Sequence, residues 1–434
     1  MERRLQPALS SAGFSPRSQR GEMHKILGIF LSILALSLPA FCEELAIEHA
    51  TIYPISGDVI QDGTILIRDG LIVDVGSKIE VPATARRIDG HGKHLMPGII
   101  DTHSHMGVYA WPQVDANSDG NEATDPISPN VDALDSVNPE DPAFTRAAAG
   151  GATTVQILPG SANLIGGKAV TLHVIPGSVT VDQMIFKEAP RGLKMALGEN
   201  PKRVYGSRNQ LPSTRMGNLY LLRDAFTKTL EYRQKWDRFN KKISKEPPEK
   251  NMKWDTLSQV LDGKILVHVH CYRADEMLHM IEIADEFKFK IAAFHHSLEA
   301  YKIADILAKR NIGAATWADW WGFKMEAMKA IPWNAAYLVS KGVVVNMHTD
   351  SSTLVQRMNV EAEKTLKYGM SEADALKTIT IFPAKMLGID QYVGTLEKGK
   401  KADLVMFDGS PLSIYSHVVL TMVEGKPTYQ REAH

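Results

Sequence analysis

"KIAAFHHSLEAYKIADILAKRNIGAAT" (Lys290–Thr316) carries three patterns in one stretch. It opens on a short apolar run of strand length and passes into "SLEAYKIADILAKR", whose apolar residues recur at helical spacing. It closes on a second apolar run, "IGAAT". Two strands with a helix between them form a parallel crossover, because only a long connection returns the chain to the same end of a sheet. Similar strands recur as "ATTVQIL", "KILVHVH" and "GVVVNMH". The alternation runs from Gly98 over about 290 residues. That length and rhythm imply an α/β fold of the (β/α)8 TIM-barrel type over residues 98–392.

Outward from this middle the pattern changes. "LAIEHATIYPI", "GTILIRDGLIVDVG" and "ARRIDGHGKHLMPG" near one end alternate apolar and polar residues between Gly and Asp turns. "GTLEKGKKADLVMFDG" and "VVLTMVEGKPTYQ" near the other do the same. Residues 43–97 and 393–434 are therefore expected to meet as a small β-sandwich beside the barrel. Two stretches interrupt the barrel rhythm. Residues 108–143 are rich in Asp, Asn and Pro, and residues 207–255 hold a charged helix (about 218–242) and a "KEPPEK" linker. Such excursions either wall an active site or decorate the surface.

The 434 residues are 44% hydrophobic and 23% charged, ordinary for a globular protein, with a formal net charge of −1. Nothing in that balance points to nucleic acid. Near the start, Met23, His24 and Lys25 precede "ILGIFLSILALSLPA" and then "FCEE". A short basic head, an apolar run and a small-residue exit fit a secretory signal over residues 23–42, cleaved near Ala40 to Cys42. Residues 1–22 then read as an upstream extension. The apolar run is shorter than the ~20 residues of a membrane span, so the mature chain is expected to be exported without one. Cys271 is the only cysteine besides Cys42, so no disulfide is expected in the mature chain.

Five expected strand ends carry residues that bind metals. In "IIDTHSHMG", His103 and His105 are two apart and share one face of a strand. "KMALGENPKR" delivers Glu199. "LVHVHCYRADE" places His268 and His270 on one face; "AAFHHSLEA" sends His295 and His296 to opposite faces; "VVVNMHTDSS" ends in His348 and Asp350. Active sites of such barrels lie at the C-terminal ends of the strands, where all five would converge. Imidazoles with carboxylates suit zinc, with manganese or iron as alternatives, in one or two sites.

With these residues in view the chain resembles the amidohydrolase superfamily of metal-dependent hydrolases. "LMPGIIDTHSHMG" resembles that family's first barrel strand. "GMSEADALKTITIFPAKMLGI" with "VGTLEKGKKADLVMFDGSPL" resembles its last helices and the return to the sandwich. "GENPKRVYG", "HCYRADE", "ADWWGFK" and "NVEAEKTLKYG" are similar to a secreted, imidazolonepropionase-related subgroup. The resemblance implies that His103, His105, His270 and His296 are metal ligands. It also implies that Asp350 contacts metal and handles the proton of the attacking water. His268, His295 and His348 match no ligand position and read as inner-wall residues.

Many members of the family also place a carboxylated lysine between two metals. At about 3.3 Å per residue, Lys194 lies roughly 16 Å behind Glu199 along one strand, toward the wrong end of the barrel. Lys202 falls in the loop. Glu199 is therefore expected to take that ligand position. The alternative is a glutamate that pairs with Arg203 and orders the loop.

The expected reaction is hydrolysis of an amide-type C–N bond in a small molecule, with Asp350 as the catalytic acid–base group. The substrate expected is a cyclic amide, an N-acyl amino acid or a similar small molecule, with a prolidase-like dipeptidase as the alternative. A barrel that binds without turnover is the alternative from another class. Arg203, Tyr205, Tyr272 and Arg273 follow ligand-bearing strands and are expected to line the pocket. Trp320, Trp321 and Lys324 in "TWADWWGFK" would clamp an apolar or acidic substrate. The glycine-rich Leu158–Lys168 could offer backbone N–H groups to an anion. Asp115, Asn117, Asp119 and Gly120 match the first half of an EF-hand loop, but Pro126 stands where that loop needs a bidentate Glu. A homo-oligomer is compatible with the sequence.

Overall fold

Five strands open the chain in the computed structural model, which describes residues 44–432: β1 (Glu44–Ile52), β2 (Ile60–Arg68), β3 (Leu71–Gly76), β4 (Arg86–Asp89) and β5 (His94–Pro97). The expected signal segment lies outside the described residues. Eight strands follow: β6 (Ile99–Ser104), β7 (Ala152–Ile157), β8 (Ile165–His173), β9 (Arg191–Ala196), β10 (Ile265–Cys271), β11 (Ile291–His296), β12 (Gly313–Thr316) and β13 (Val345–Met347). They hydrogen-bond side by side in sequence order as one barrel sheet. β14 (Leu404–Phe407), β15 (Val418–Val423) and β16 (Lys426–Gln430) come last.

β6, β7 and β12 are buried at every position, as strands walled by side chains inside and helices outside must be. The helices form where an apolar stripe can face the core, and α1 also has a side-chain cap. α1 (Pro142–Ala149) starts where the Asp141 side chain accepts the Ala143 N–H, with Pro142 in the first turn. α2 (Glu199–Gly206), α3 (Arg215–Asn240) and α4 (Met252–Leu261) fill the long connection between β9 and β10. α5 (Ala274–Phe287) buries Met277, Met280, Ile281, Ala284 and Phe287, the spacing of one helical face. Each of the larger side chains among these stabilises the layer by about 1.5–3 kcal/mol. The charged helix expected near 218–242 is α3. Its Phe226 stacks on Phe287 at 5.3 Å and on Phe289 at 4.6 Å, so it docks on α5 and its flank.

One barrel strand departs from the all-parallel expectation. β8 runs antiparallel to both β7 and β9, while the other neighbouring pairs are parallel. The loop 158–164 between β7 and β8 is too short to hold a crossover helix, so the chain turns straight back. The barrel closes between β13 and β6 through a side-chain bond and a backbone bond just past β13. Thr102 donates its hydroxyl to Asn346 Oδ1 at 2.6 Å, and the Asp350 N–H donates to the His103 carbonyl at 3.1 Å.

The two ends of the chain join, as expected, but in one continuous sheet of order β16-β15-β14-β5-β1-β2-β3, with β4 paired to β1. β5 bonds β1 on one side and β14 on the other, so the pairing is unbroken from end to end. This sheet has its own apolar cluster, including Ile47, Ile52, Ile65, Leu404 and Met422. Gly98 links it to the barrel. A Cβ there would lie 2.1 Å from Thr153 Oγ1, so only glycine allows the close approach. No helix among the described residues is long and apolar enough to cross a membrane.

Candidate active site

His103 lies on β6 and His105 just beyond its end. His105 donates from Nδ1 to the Leu158 carbonyl at 2.8 Å, which turns its Nε2 to within 3.1 Å of Asp350 Oδ1. The same carboxylate oxygen lies 3.4 Å from His103 Nε2. Asp350 follows β13 and His296 ends β11, with Asp350 Oδ2 and His296 Nε2 4.0 Å apart. Both residues hold left-handed backbones, φ 53° and 68°. For residues with a Cβ that conformation is uncommon, and it aims both side chains into the barrel mouth.

Two groups could each hold a metal ion: His103, His105 and Asp350, and His103, His296 and His348. In each, one donor atom per residue lies within 4.8 Å of the others. Both ring nitrogens of His296 and of His348 are buried without a hydrogen-bond partner among the described residues. Burial, with the Lys194 charge adding to it, holds His103 well below the ordinary histidine pKa. Burial also holds His296 well below and pushes His348 to about 3, so these rings are neutral. Burial pushes Asp350 upward, but the His105 hydrogen bond and the surrounding positive charge outweigh it and leave the carboxylate below its ordinary value. Neutral rings and an ionised carboxylate are the protonation states that ligate metals.

The structure corrects the reading of "KMALGENPKR". Lys194, not Glu199, reaches this centre. Lys194 is fully buried, its Nζ 3.4 Å from His103 Nε2 and donating to the Pro159 carbonyl at 2.9 Å. Burial lowers its pKa to about 8. Glu199 turns away because β9 ends at Ala196. Gly198, at φ 84°, redirects the chain, and Glu199 begins α2 with its carboxylate 3.5 Å from Lys324. His270 also stays outside both groups. Its ring lies 4.5 Å from that of His296, while Nδ1 meets Ser161 Oγ at 2.9 Å and Nε2 faces the Asn200 amide at 3.4 Å. His348, read as an inner-wall residue, stands among the candidate ligands. Its signal was the spacing His348-x-Asp350, which repeats that of His103 and His105.

The expected pocket residues divide. Tyr272 stacks on His296 at 5.0 Å, and Lys324 Nζ sits 4.0 Å from the Tyr272 ring centre. Trp320 reaches the site only through Trp317, which stacks on it at 5.1 Å and on His296 at 4.6 Å. Trp317 was not among the expected residues. Trp321 is half-exposed, and Arg203 is exposed on α2. Arg273 binds Asp275 at 2.6 Å and faces a recess of about 670 Å³ lined by Glu199, Lys202, Arg215 and Glu326. Tyr205 is a correction: it is fully buried in the wall and lines neither this recess nor the catalytic cavity. The cavity that touches the candidate ligands is smaller, about 250 Å³, and lined by His105, Tyr109, Trp111, Gln113, Asp350 and Ser351.

The glycine-rich stretch after β7 is not a nest for anions. Its Leu158, Gly160 and Ala162 N–H groups are spent on Ser104, Gly120 and Asn121. Its carbonyls instead hold His105 and Lys194. No group from the EF-hand-like stretch is among those able to hold a metal within the described residues.

Residues 333–429 match the profile of the Amidohydrolase family. The chain is 40% identical to a crystal structure of an amidohydrolase from Thermotoga maritima MSB8, covering 89% of this chain and 100% of that one, with a TM-score of 0.84. It is 34% identical over 386 residues to Amidohydrolase tasK of Hapsidospora irregularis, covering 84% of this chain. The chain spans only 39% of the length of that relative. It is also 25% identical over 389 residues to an imidazolonepropionase of Brevibacillus brevis, covering 81% of this chain and 84% of that protein.

Proposed function

The chain belongs to the amidohydrolase superfamily, and from that footing we propose that it is an exported metal-dependent hydrolase of an amide-type C–N bond in a small molecule. The observation that carries this reading is the convergence of His103, His105, His296, His348 and Asp350 at one barrel mouth. A divalent ion fits there. Four buried ring nitrogens on His296 and His348 have no partner among the described residues, and such groups are costly to leave unsatisfied. Zinc suits this donor set, with manganese or iron as alternatives.

When bound, such an ion supplies Lewis-acid chemistry, acidifying water and polarising a carbonyl. The residues do the rest. Asp350, ionised and held by its backbone bond to β6, accepts the proton of the attacking water at a carboxylate oxygen and passes it to the leaving nitrogen. Lys194, part-neutral at pH 7 to 8, has the position and the amine to serve as the family's carboxylated lysine. Tyr272 and Trp317 both pack against His296 and help keep water from its ring.

Lys324 favours a substrate with a carboxylate, an N-acyl amino acid or a dipeptide. Its ammonium is part-buried beside the site, and its polar neighbours Asn200 Oδ1, Glu199 and Glu326 lie no closer than 3.4, 3.5 and 3.7 Å. A carboxylate at true hydrogen-bond distance would hold it better. The binding-only alternative gives Asp350 no use as a proton carrier.

The test is metal analysis of the purified chain, then a hydrolysis screen over dipeptides, N-acyl amino acids and cyclic amides. Near-stoichiometric metal is expected, and Asp350→Asn should lower kcat by about 10²–10⁴-fold. Absence of stoichiometric metal, or hydrolysis confined to esters, overturns the reading. N-terminal sequencing of the cell-derived protein tests export: a start near Cys42 supports it, and an intact Met1 or Met23 refutes it.

A further inference from the structure

Beneath the candidate ligands a line of polar side chains runs through the barrel interior, and the mechanism above uses only its first member. His103 Nδ1 lies 3.0 Å from His295 Nδ1. His295 Nε2 lies 2.9 Å from His268 Nδ1, and His268 Nε2 lies 3.3 Å from the Gln156 amide. All four side chains are buried. Burial keeps His268 and His295 neutral. A neutral imidazole has one N–H and one bare nitrogen. Two neutral rings in hydrogen-bond contact must therefore meet donor to acceptor, and a proton fixed on one ring fixes it on all.

The direction follows from the ligand end. His103 Nε2 faces Asp350 and Lys194, and a nitrogen that takes a metal ion must be bare. The His103 proton is then on Nδ1 and is donated to His295 Nδ1. His295 in turn donates from Nε2 to His268 Nδ1, and His268 donates from Nε2. Gln156 must accept that last proton through Oε1. Gln156 is placed with Nε2 toward the ring, so the amide must be turned over; its shape is the same either way round, and Oε1 as placed has no partner among the described residues.

We propose that Gln156, His268 and His295 are positioning residues, a one-way chain of hydrogen-bond donors that holds His103 in the tautomer able to take a divalent ion through Nε2. The proposal rests on the metal-dependent reading above. The chain is a lock, not a proton conduit, because it ends in the buried interior on an amide that does not titrate. Gly192 makes room for it: a Cβ there would sit 3.0 Å from the Gln156 amide and 3.2 Å from the His268 ring.

Neutron diffraction from crystals of the zinc-loaded wild-type protein reads the chain directly. Deuterium is expected on His103 Nδ1, His295 Nε2 and His268 Nε2, with the Gln156 oxygen toward the ring; deuterium on His295 Nδ1 overturns the proposal. Zinc affinity by chelator competition gives a second reading. His268→Met should weaken zinc binding about tenfold or more, while His268→Gln, which keeps an acceptor for His295, should stay within about threefold of wild type. Equal losses in both variants would point to packing, and no loss in either would remove the lock. A wild type that binds no zinc removes the metal reading and this one together. Zinc binding with the opposite tautomers removes this one alone.

Discussion

His268 and His295 sit a few ångströms from His296 and His348 in the same barrel, fully buried and neutral like them, yet the two pairs are opposites. Every ring nitrogen of the first pair has a partner. No ring nitrogen of the second pair has one among the described residues. Burial alone therefore does not separate a structural histidine from a ligand; the balance of donors and acceptors does. A folded chain keeps orphaned buried nitrogens when something outside the chain satisfies them.

The largest expected effect tests the orphaned pair in the loaded enzyme. His296→Leu removes a candidate ligand, and both zinc affinity and hydrolysis should fall by at least about 100-fold, more than loss of a residue that only positions a ligand. Retained zinc content would dissolve the distinction. Next comes stability in the metal-free protein, where the order should reverse. His295→Leu leaves His103 and His268 each short of a partner and should cost about 2–5 kcal/mol in denaturant melts. His296→Leu leaves nothing unpaired and should be neutral or stabilising. If His296→Leu proved as costly as His295→Leu, the orphan reading would be wrong.

The smallest effect is expected at a partnered group away from the site. Burial pushes Asp132 upward, but Arg191, which hydrogen-bonds it, and Lys168, 3.1 Å away, hold its pKa below the ordinary carboxylate value. A depressed folded pKa contributes stability that is present above the unfolded value near 4 and is lost as pH falls through the folded one. Asp132→Asn should thus cost about 1 kcal/mol at pH 7, and its gap from wild type should close in acid. A gap independent of pH would assign the cost to packing.

Much of the site was legible because strand periodicity is local. His103 and His105 share a face two residues apart, and Asp350 follows the last barrel strand as the pattern required. Lys194 was missed because a rise per residue was measured along a strand that stops at Ala196. The lysine side chain itself reaches about 6 Å, enough to bring a mid-strand Cα to the mouth. The signal was its setting: a lysine within an apolar strand must find partners. Trp317 follows β12 with no local pattern to mark it, and its stack on His296 exists only once β11 and β12 pair. The direction of β8 was readable from the short Leu158–Leu164 link, but strand composition carries no sign of direction. The tautomers of the histidine line could not be read from sequence, since two of its three contacts join residues more than a hundred positions apart.

The reversed strand β8 bears on how the chain folds. Pairing β7 with β8 closes only a short link, whereas each parallel pair elsewhere must first enclose a helix-length connection, at a higher cost in chain entropy. Contacts between nearby residues form fastest. The β7–β8 hairpin can therefore assemble before the outer helices dock, giving the barrel a local seed that an all-parallel arrangement lacks. Pulse-labelled hydrogen exchange during refolding should find its amides protected ahead of those in β12 and β13; simultaneous protection would show that the reversal leaves the order of folding unchanged.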